Sequence, residues 1–94
     1  MKTPVVNKPE YTMYLELFDS MLWFHTDVHA WSADIKKKYI LDLDVLQRLA
    51  TVPLLALVEE EDTKLAKFGE TIGWYKINKL ITNDKKYDVY TRRV

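Results

Sequence analysis

Between Ala33 and Thr51 the apolar residues Ile35, Tyr39, Ile40, Leu43, Leu46 and Leu49 recur at three- and four-residue steps, with lysines and aspartates on the other side. That spacing predicts a helix over residues 33–51 with one face turned to a core. Ser32 stands where an N-cap belongs, and Pro53 stops the run. Leu54 to Val58 is then continuously apolar and of strand length, as for a strand covered on at least one face. A second, shorter helix follows, with Asp62 or Thr63 as its cap, Leu65, Phe68 and Ile72 as its buried stripe, and Gly73 as the left-handed residue that ends it. From Trp74 to Ile81 the pattern alternates, TNDKK makes a turn, and YDVYTRR alternates again, which predicts a hairpin.

Tyr11 to Val28 also alternates, and two strands meeting near Phe18-Asp19-Ser20 fit it, with Met13, Leu15 and Leu17 on one face. A single helix is the alternative; the β-branched and aromatic residues of the second half favour strands. Residues 1–10, with prolines at 4 and 9, read as an extended arm without the apolar core of a signal peptide. Residues 11–94 then make one domain. The element order, β-β-α-β-α-β-β, predicts an α/β (α+β) fold, a mixed sheet with two helices packed on it.

The chain has 94 residues, 48% of them hydrophobic and 13% aromatic, so it folds around a thin core. Lys plus Arg balances Asp plus Glu at 14 each, which supplies no long-range positive field and speaks against nucleic acid as a partner. Without cysteine there is no disulfide, no thiolate zinc site and no cysteine nucleophile, and a reducing cytoplasm fits. The longest apolar run, Pro53 to Val58, falls far short of the roughly 18 residues that cross a bilayer. A soluble protein with no membrane partner is expected.

The strand PLLALVEEED, the helix TKLAKFGETIG and the strand WYKINKLI, in this order, resemble the C-terminal half of the GNAT acetyltransferase family. More narrowly, WFHTD, AW, KKKY, ETIGWYKIN and YDVYT over residues 21–92 resemble a group of small GNAT-like proteins of tailed phages of the podovirus type. The resemblance implies a reduced GNAT-like fold and locates the family's working parts. The family's phosphate-gripping R/Q-x-x-G-x-G/A loop falls on VHAWSADIKKK, which has no glycine. Ser32 and Ala33 are small there, and Lys36, Lys37 and Lys38 can supply charge in place of geometry. Eleven residues before Gly73 the family's Asn falls on Asp62, and seven further on its general-acid Tyr falls on Gly69. Gly69 has no proton to give a leaving thiolate, and inside a helix it costs roughly 1 kcal/mol relative to Ala.

If acetyl-CoA binds, the cofactor candidates are therefore Ser32, Ala33, Lys36, Lys37 and Asp62, with Glu60 as base and Tyr75 as acid. With grip and acid both altered, the residues point instead to no cofactor and to a binding protein. Its partner residues are Trp31, Lys36, Lys37, Lys38, Glu59, Glu60 and Glu61. Lys36 to Lys38 oppose the positive end of their own helix dipole, so they are either a solvated face or an anion or partner patch. Glu59 to Glu61 lead into a helix N-terminus, where carboxylates suit the dipole, and equally suit a basic partner surface. Trp31, beside Ala30 and Ser32, is the tryptophan expected to be partly exposed, and hence an interface anchor. His25, Asp27 and His29 are metal-capable types, yet on a straight strand the end pair stands roughly 14 Å apart, so no metal is expected. The strands Thr12 to Leu17 and Tyr87 to Thr91 are expected as sheet edges, open to homodimer pairing. The functional expectation is a phage protein in the host cytoplasm that binds a host protein during infection. An active N-acetyltransferase is the alternative, and a virion-associated role a third.

Overall fold

The computed structural model describes residues 1–92; Arg93 and Val94, the end of the expected 11–94 domain, lie outside the described residues. Six strands and two helices follow one another as β1 (Thr3–Asn7), β2 (Tyr11–Phe18), β3 (Met21–Val28), α1 (Ala33–Leu49), β4 (Leu54–Glu59), α2 (Thr63–Thr71), β5 (Trp74–Thr82) and β6 (Lys85–Arg92). The fold is α+β, with every element after the first ten residues where the hydrophobic pattern puts it. The chain divides into two compact units, Met1–Leu54 and Leu55–Val94.

In the first unit the strands run β1-β2-β3, each pair antiparallel. Residues 3–7, expected as a free arm, form a strand on β2, with a bulge between Pro4 and Val6. Pro4 does not forbid the strand, because a proline and a bulge are both tolerated on a strand paired on one side only. The β2–β3 turn is Asp19-Ser20, with φ of 54° and 62°, the geometry of a two-residue hairpin turn. Tyr11 and Met13 share one strand face and are fully buried together with Tyr39 and Leu43 of α1. The Tyr11 and Tyr39 rings meet edge-on at 5.0 Å. Leu49, counted on the core stripe of α1, is 75% exposed, because at 3.6 residues per turn it stands about 120° around the helix from the fully buried Leu43.

The same face carries one polar anchor. Tyr11 Oη and Lys8 Nζ both donate to Asp42 Oδ2. Partial burial pushes the Asp42 carboxyl up, but these two donors outweigh it and hold it below the usual range. Burial, and then the Asp42 charge, push the Tyr11 phenol up. A depressed carboxyl contributes stability above its unfolded value of about 4 and loses it as pH falls through the lower folded value. Thermal melts of the wild type are expected to fall on acidification below about pH 4, and Asp42→Ala should flatten that limb. At pH 7 the same variant leaves a buried Tyr11 hydroxyl without its acceptor, at about 1–3 kcal/mol. A variant with unchanged stability and acid limb would remove Asp42 from this role.

In the second unit the order is β4-β6-β5, again antiparallel. The β5–β6 turn is Asn83-Asp84, with φ of 47° and 68°. β2 lies between β1 and β3, and β6 between β4 and β5, so neither expected edge strand is an edge; β1 and β5 are each paired on one side only. Val58, Ile72, Trp74, Val89 and Tyr90 are buried. α2 starts at the cap Asp62, and Gly73 with φ of 103° turns the chain out of it, as expected. Leu65, however, is 41% exposed, because so short a helix turns only part of its stripe inward.

Candidate functional site

The α1 N-terminus brings Trp31, Ser32, Ala33, Lys36, Lys37 and Lys38 into one turn and a half. Ser32 is extended, at φ −158° and ψ 173°, and its Oγ accepts from the Ile35 amide at 3.2 Å. Its carbonyl accepts from Lys36 N at 2.9 Å. One of the amides an anion would use is thus satisfied by the chain itself. The Asp34 carboxylate also sits in the first turn, at the positive dipole end. No residue from 28 to 38 has positive φ, so the backbone does not curl into the nest that rings a phosphate. Lys38 Nζ donates to Glu10 Oε2 at 3.2 Å, and that bond holds the Glu10 carboxyl below its usual range. Lys37 is exposed and Lys36 half-buried. Trp31 is 42% exposed and leans edge-on against Tyr39, with centroids 5.6 Å apart.

The second cluster lies where β4 gives way to α2. The Glu60 amide donates to Lys86 O at 3.0 Å, the Asp62 amide to Glu59 O at 2.9 Å, and the chain turns into α2. Asp62 accepts from Leu65 N at 3.1 Å, so its carboxylate is committed to capping. Glu59, Glu60, Glu61, Asp84, Lys85 and Lys86 line an open groove of about 320 Å³. Lys85 Nζ lies 3.5 Å from Glu59 Oε1, and Lys79 Nζ lies 3.6 Å from Glu60 Oε2. These exposed pairs contribute little to stability. Four carboxylates against two lysines leave the groove acidic and open to basic side chains.

Glu60 and Tyr75 do not form one centre. Glu60 stands level with Lys86 on β6, whereas Tyr75 is registered with Thr91, five residues along the same strand. At about 3.4 Å per residue that is roughly 17 Å, too far for an acid and base to share a substrate. His25, Asp27 and His29 are likewise separate. His25 Nε2 pairs with Glu16 Oε1 at 3.0 Å, and Asp27 accepts from Tyr14 Oη at 2.9 Å. Among the described residues no three His, Asp or Glu side chains are grouped to hold a metal ion. No helix among them is long and apolar enough to cross a membrane.

The sequence matches no family model and no curated protein. In structure the chain is similar to a protein of Bordetella pertussis assigned to the GNAT acetyltransferase family, with a TM-score of 0.68 over 89% of this chain at 10% identity. The fold is GNAT-like. The chain spans 57% of that neighbour's length, and identity this low concerns the fold alone.

Within the GNAT-like frame, Gly69 and its surroundings become readable. A Cβ built there would meet Trp74 Cβ at 3.5 Å and Cγ at 3.7 Å, so the tryptophan side chain lies against the glycine. The position the resemblance assigns to a general acid is packed against an indole. Sequence reasoning also missed a polar row on β6: Asp88, Tyr90 and Arg92, all nearly buried. Arg92 Nε donates to Ile72 O at 2.7 Å, closing the C-terminus of α2. Burial, and then the charges of Glu70 and Asp88, push the Tyr90 phenol up. Lys76 Nζ lies 4.0 Å from Asp88 Oδ2. The period-two spacing of these residues in YDVYTR was the available signal.

Proposed function

We propose that this GNAT-like chain is a phage protein that acts in the host cytoplasm by binding a host protein, without acyl transfer. The observation that carries this reading is the roughly 17 Å between the candidate base and acid. Two further features support it: the α1 N-terminus satisfied by its own cap, and the indole lying against Gly69. Ser32 is taken up in capping α1 and Asp62 in capping α2, so of the residues Ser32, Ala33, Lys36, Lys37 and Asp62 only the two lysines keep a charge to offer a diphosphate. The binding surface in this reading is the acidic groove at Glu59, Glu60 and Glu61, whose charge suits a basic patch. Trp31 with Lys36 and Lys37 forms a second contact region, suited to an aromatic anchor.

The test has two arms. Titration of acetyl-CoA by calorimetry or thermal shift is expected to show no binding, where a ligand at 100 times its dissociation constant would add about 2.7 kcal/mol. Pull-down from host lysate is expected to capture a protein that Glu59→Lys with Glu61→Lys releases. Micromolar acetyl-CoA binding abolished by Lys37→Glu would overturn the reading in favour of an N-acetyltransferase.

A further inference from the structure

Helix α1 carries an apolar row that the fold does not cover. Leu41 is 64%, Val45 53% and Leu49 75% exposed, while Tyr39 and Leu43 on the inner face are fully buried. The row continues into the loop with Val52, 44% exposed. Steps of four residues put Leu41, Val45 and Leu49 on one side of the helix, away from Tyr39 and Leu43. A helix apolar on two faces is built to be covered on both.

We propose that this outer face of α1 pairs antiparallel with the same face of a second copy, about a two-fold axis at Val45. The pattern favours that occupant in two ways. First, the row is symmetric, with Leu four residues before and four after Val45. An antiparallel copy therefore sets Leu41 against Leu49 of the second copy and Val45 against its own counterpart, as an isologous contact requires. Second, the charges match. Lys36, Lys37 and Lys38 lie in the first turns of α1, where they oppose the helix's own dipole. In the antiparallel pair Lys37 comes level with residue 53 of the second copy, about 6 Å beyond the last helical residue, so its long side chain lies off the negative end of the partner helix, where a cation is favoured. Arg48 in turn falls about half a helical turn from Asp44 of the second copy. A charged macromolecule has no comparable counterpart in the uncharged centre of the row.

Three side chains and their flanks give less than the roughly 800 Å² per partner of a standard interface. The pair is accordingly concentration-dependent, with dissociation in the range of roughly 10–500 μM. β5, paired on one side only, is the competing surface; its exposed Ile77 and Ile81 are offset by a bulge between Lys76 and Asn78 and by Lys76 and Lys79.

Sedimentation equilibrium up to millimolar protein is expected to show mass rising from 11.2 kDa toward twice that value. Val45→Asp should raise the dissociation constant at least tenfold with an unchanged circular dichroism spectrum, since Val45 is 53% exposed and lies on the side of α1 away from the buried Leu43. The chain has no cysteine, so a single introduced thiol reports its own surroundings. Val45→Cys is expected to form an intermolecular disulfide under mild oxidant at least tenfold faster than Ile81→Cys, although Ile81 is 70% exposed. A chain monomeric throughout the range would overturn the proposal. So would a dimer indifferent to Val45→Asp, or faster cross-linking at Ile81→Cys.

Discussion

Tyr39→Ala is expected to cost about 3–5 kcal/mol, the range for deleting a buried aromatic ring. Tyr39 is the residue on which α1 depends for its place over the strands: it is fully buried, meets Tyr11 at 5.0 Å and carries Trp31 at 5.6 Å. Removing it opens a cavity between a helix and a strand whose remaining fully buried residues are Tyr11, Met13 and Leu43. A domain of this length has about 5–15 kcal/mol in total, so the loss is a large part of the whole. The melting midpoint should fall by at least about 15 °C, at several degrees per kcal/mol for a chain of this size. Trp31→Ala, at a ring already 42% exposed, should cost much less. Melts followed by near-ultraviolet circular dichroism give both numbers. A Tyr39→Ala loss under about 1 kcal/mol would mean that the edge-on ring trio does not hold α1 in place.

The contrast between Tyr39 and Leu49 shows where hydrophobic periodicity carries information and where it stops. Both belong to the same three- and four-residue pattern, and the cap Ser32 and stop Pro53 bound the helix well. Each three-residue step falls about 60° short of a full turn, so a run of such steps drifts off the core: Leu49, two steps beyond the buried Leu43, stands about 120° from it and faces out. Leu65 of α2 is also 41% exposed. The first strand was hidden by its prolines, since one-sided pairing leaves room for residues that a central strand rejects. β1 covers the side of β2 expected to be open, whereas β6 is central for a separate reason: β4, distant in sequence, pairs with it, and periodicity carries no information on such non-local pairing.

Site residues were legible in proportion to how local their geometry is. The Ser32 and Asp62 caps, the two-residue turns at Asp19-Ser20 and Asn83-Asp84, and the gathering of Trp31 with the lysine run all follow from neighbours in sequence. The separation of Glu60 from Tyr75 does not, since it is set by the registers of two strands on β6. The row Asp88, Tyr90 and Arg92 alternates visibly, but alternation leaves open which set is buried. A charged set normally faces water, so the burial of this one required the structure.

Trp74→Ala is expected to cost about 3–5 kcal/mol, and its coupling to Gly69 decides why a glycine interrupts α2. Trp74 is 6% exposed and lies along the helix at Gly69, with its Cβ and two indole atoms 3.5–3.8 Å from where a glycine Cβ would be. Those are ordinary contact distances. Gly69→Ala should therefore keep the packing and gain up to about 1 kcal/mol in helix propensity. Gly69→Tyr restores the residue type that the GNAT resemblance assigns there, and its ring has to displace the indole, which should cost about 1–3 kcal/mol. In the double variant Gly69→Tyr with Trp74→Ala the new ring occupies space the old one vacated. The combined loss should fall short of the sum of the single losses by about 0.5–3 kcal/mol. Urea denaturation of the four proteins closes the cycle. Strictly additive losses, or a destabilising Gly69→Ala, would show that the glycine serves some purpose other than seating Trp74. If they couple as expected, a phenol cannot be placed at that turn without dismantling the packing of Trp74 on α2.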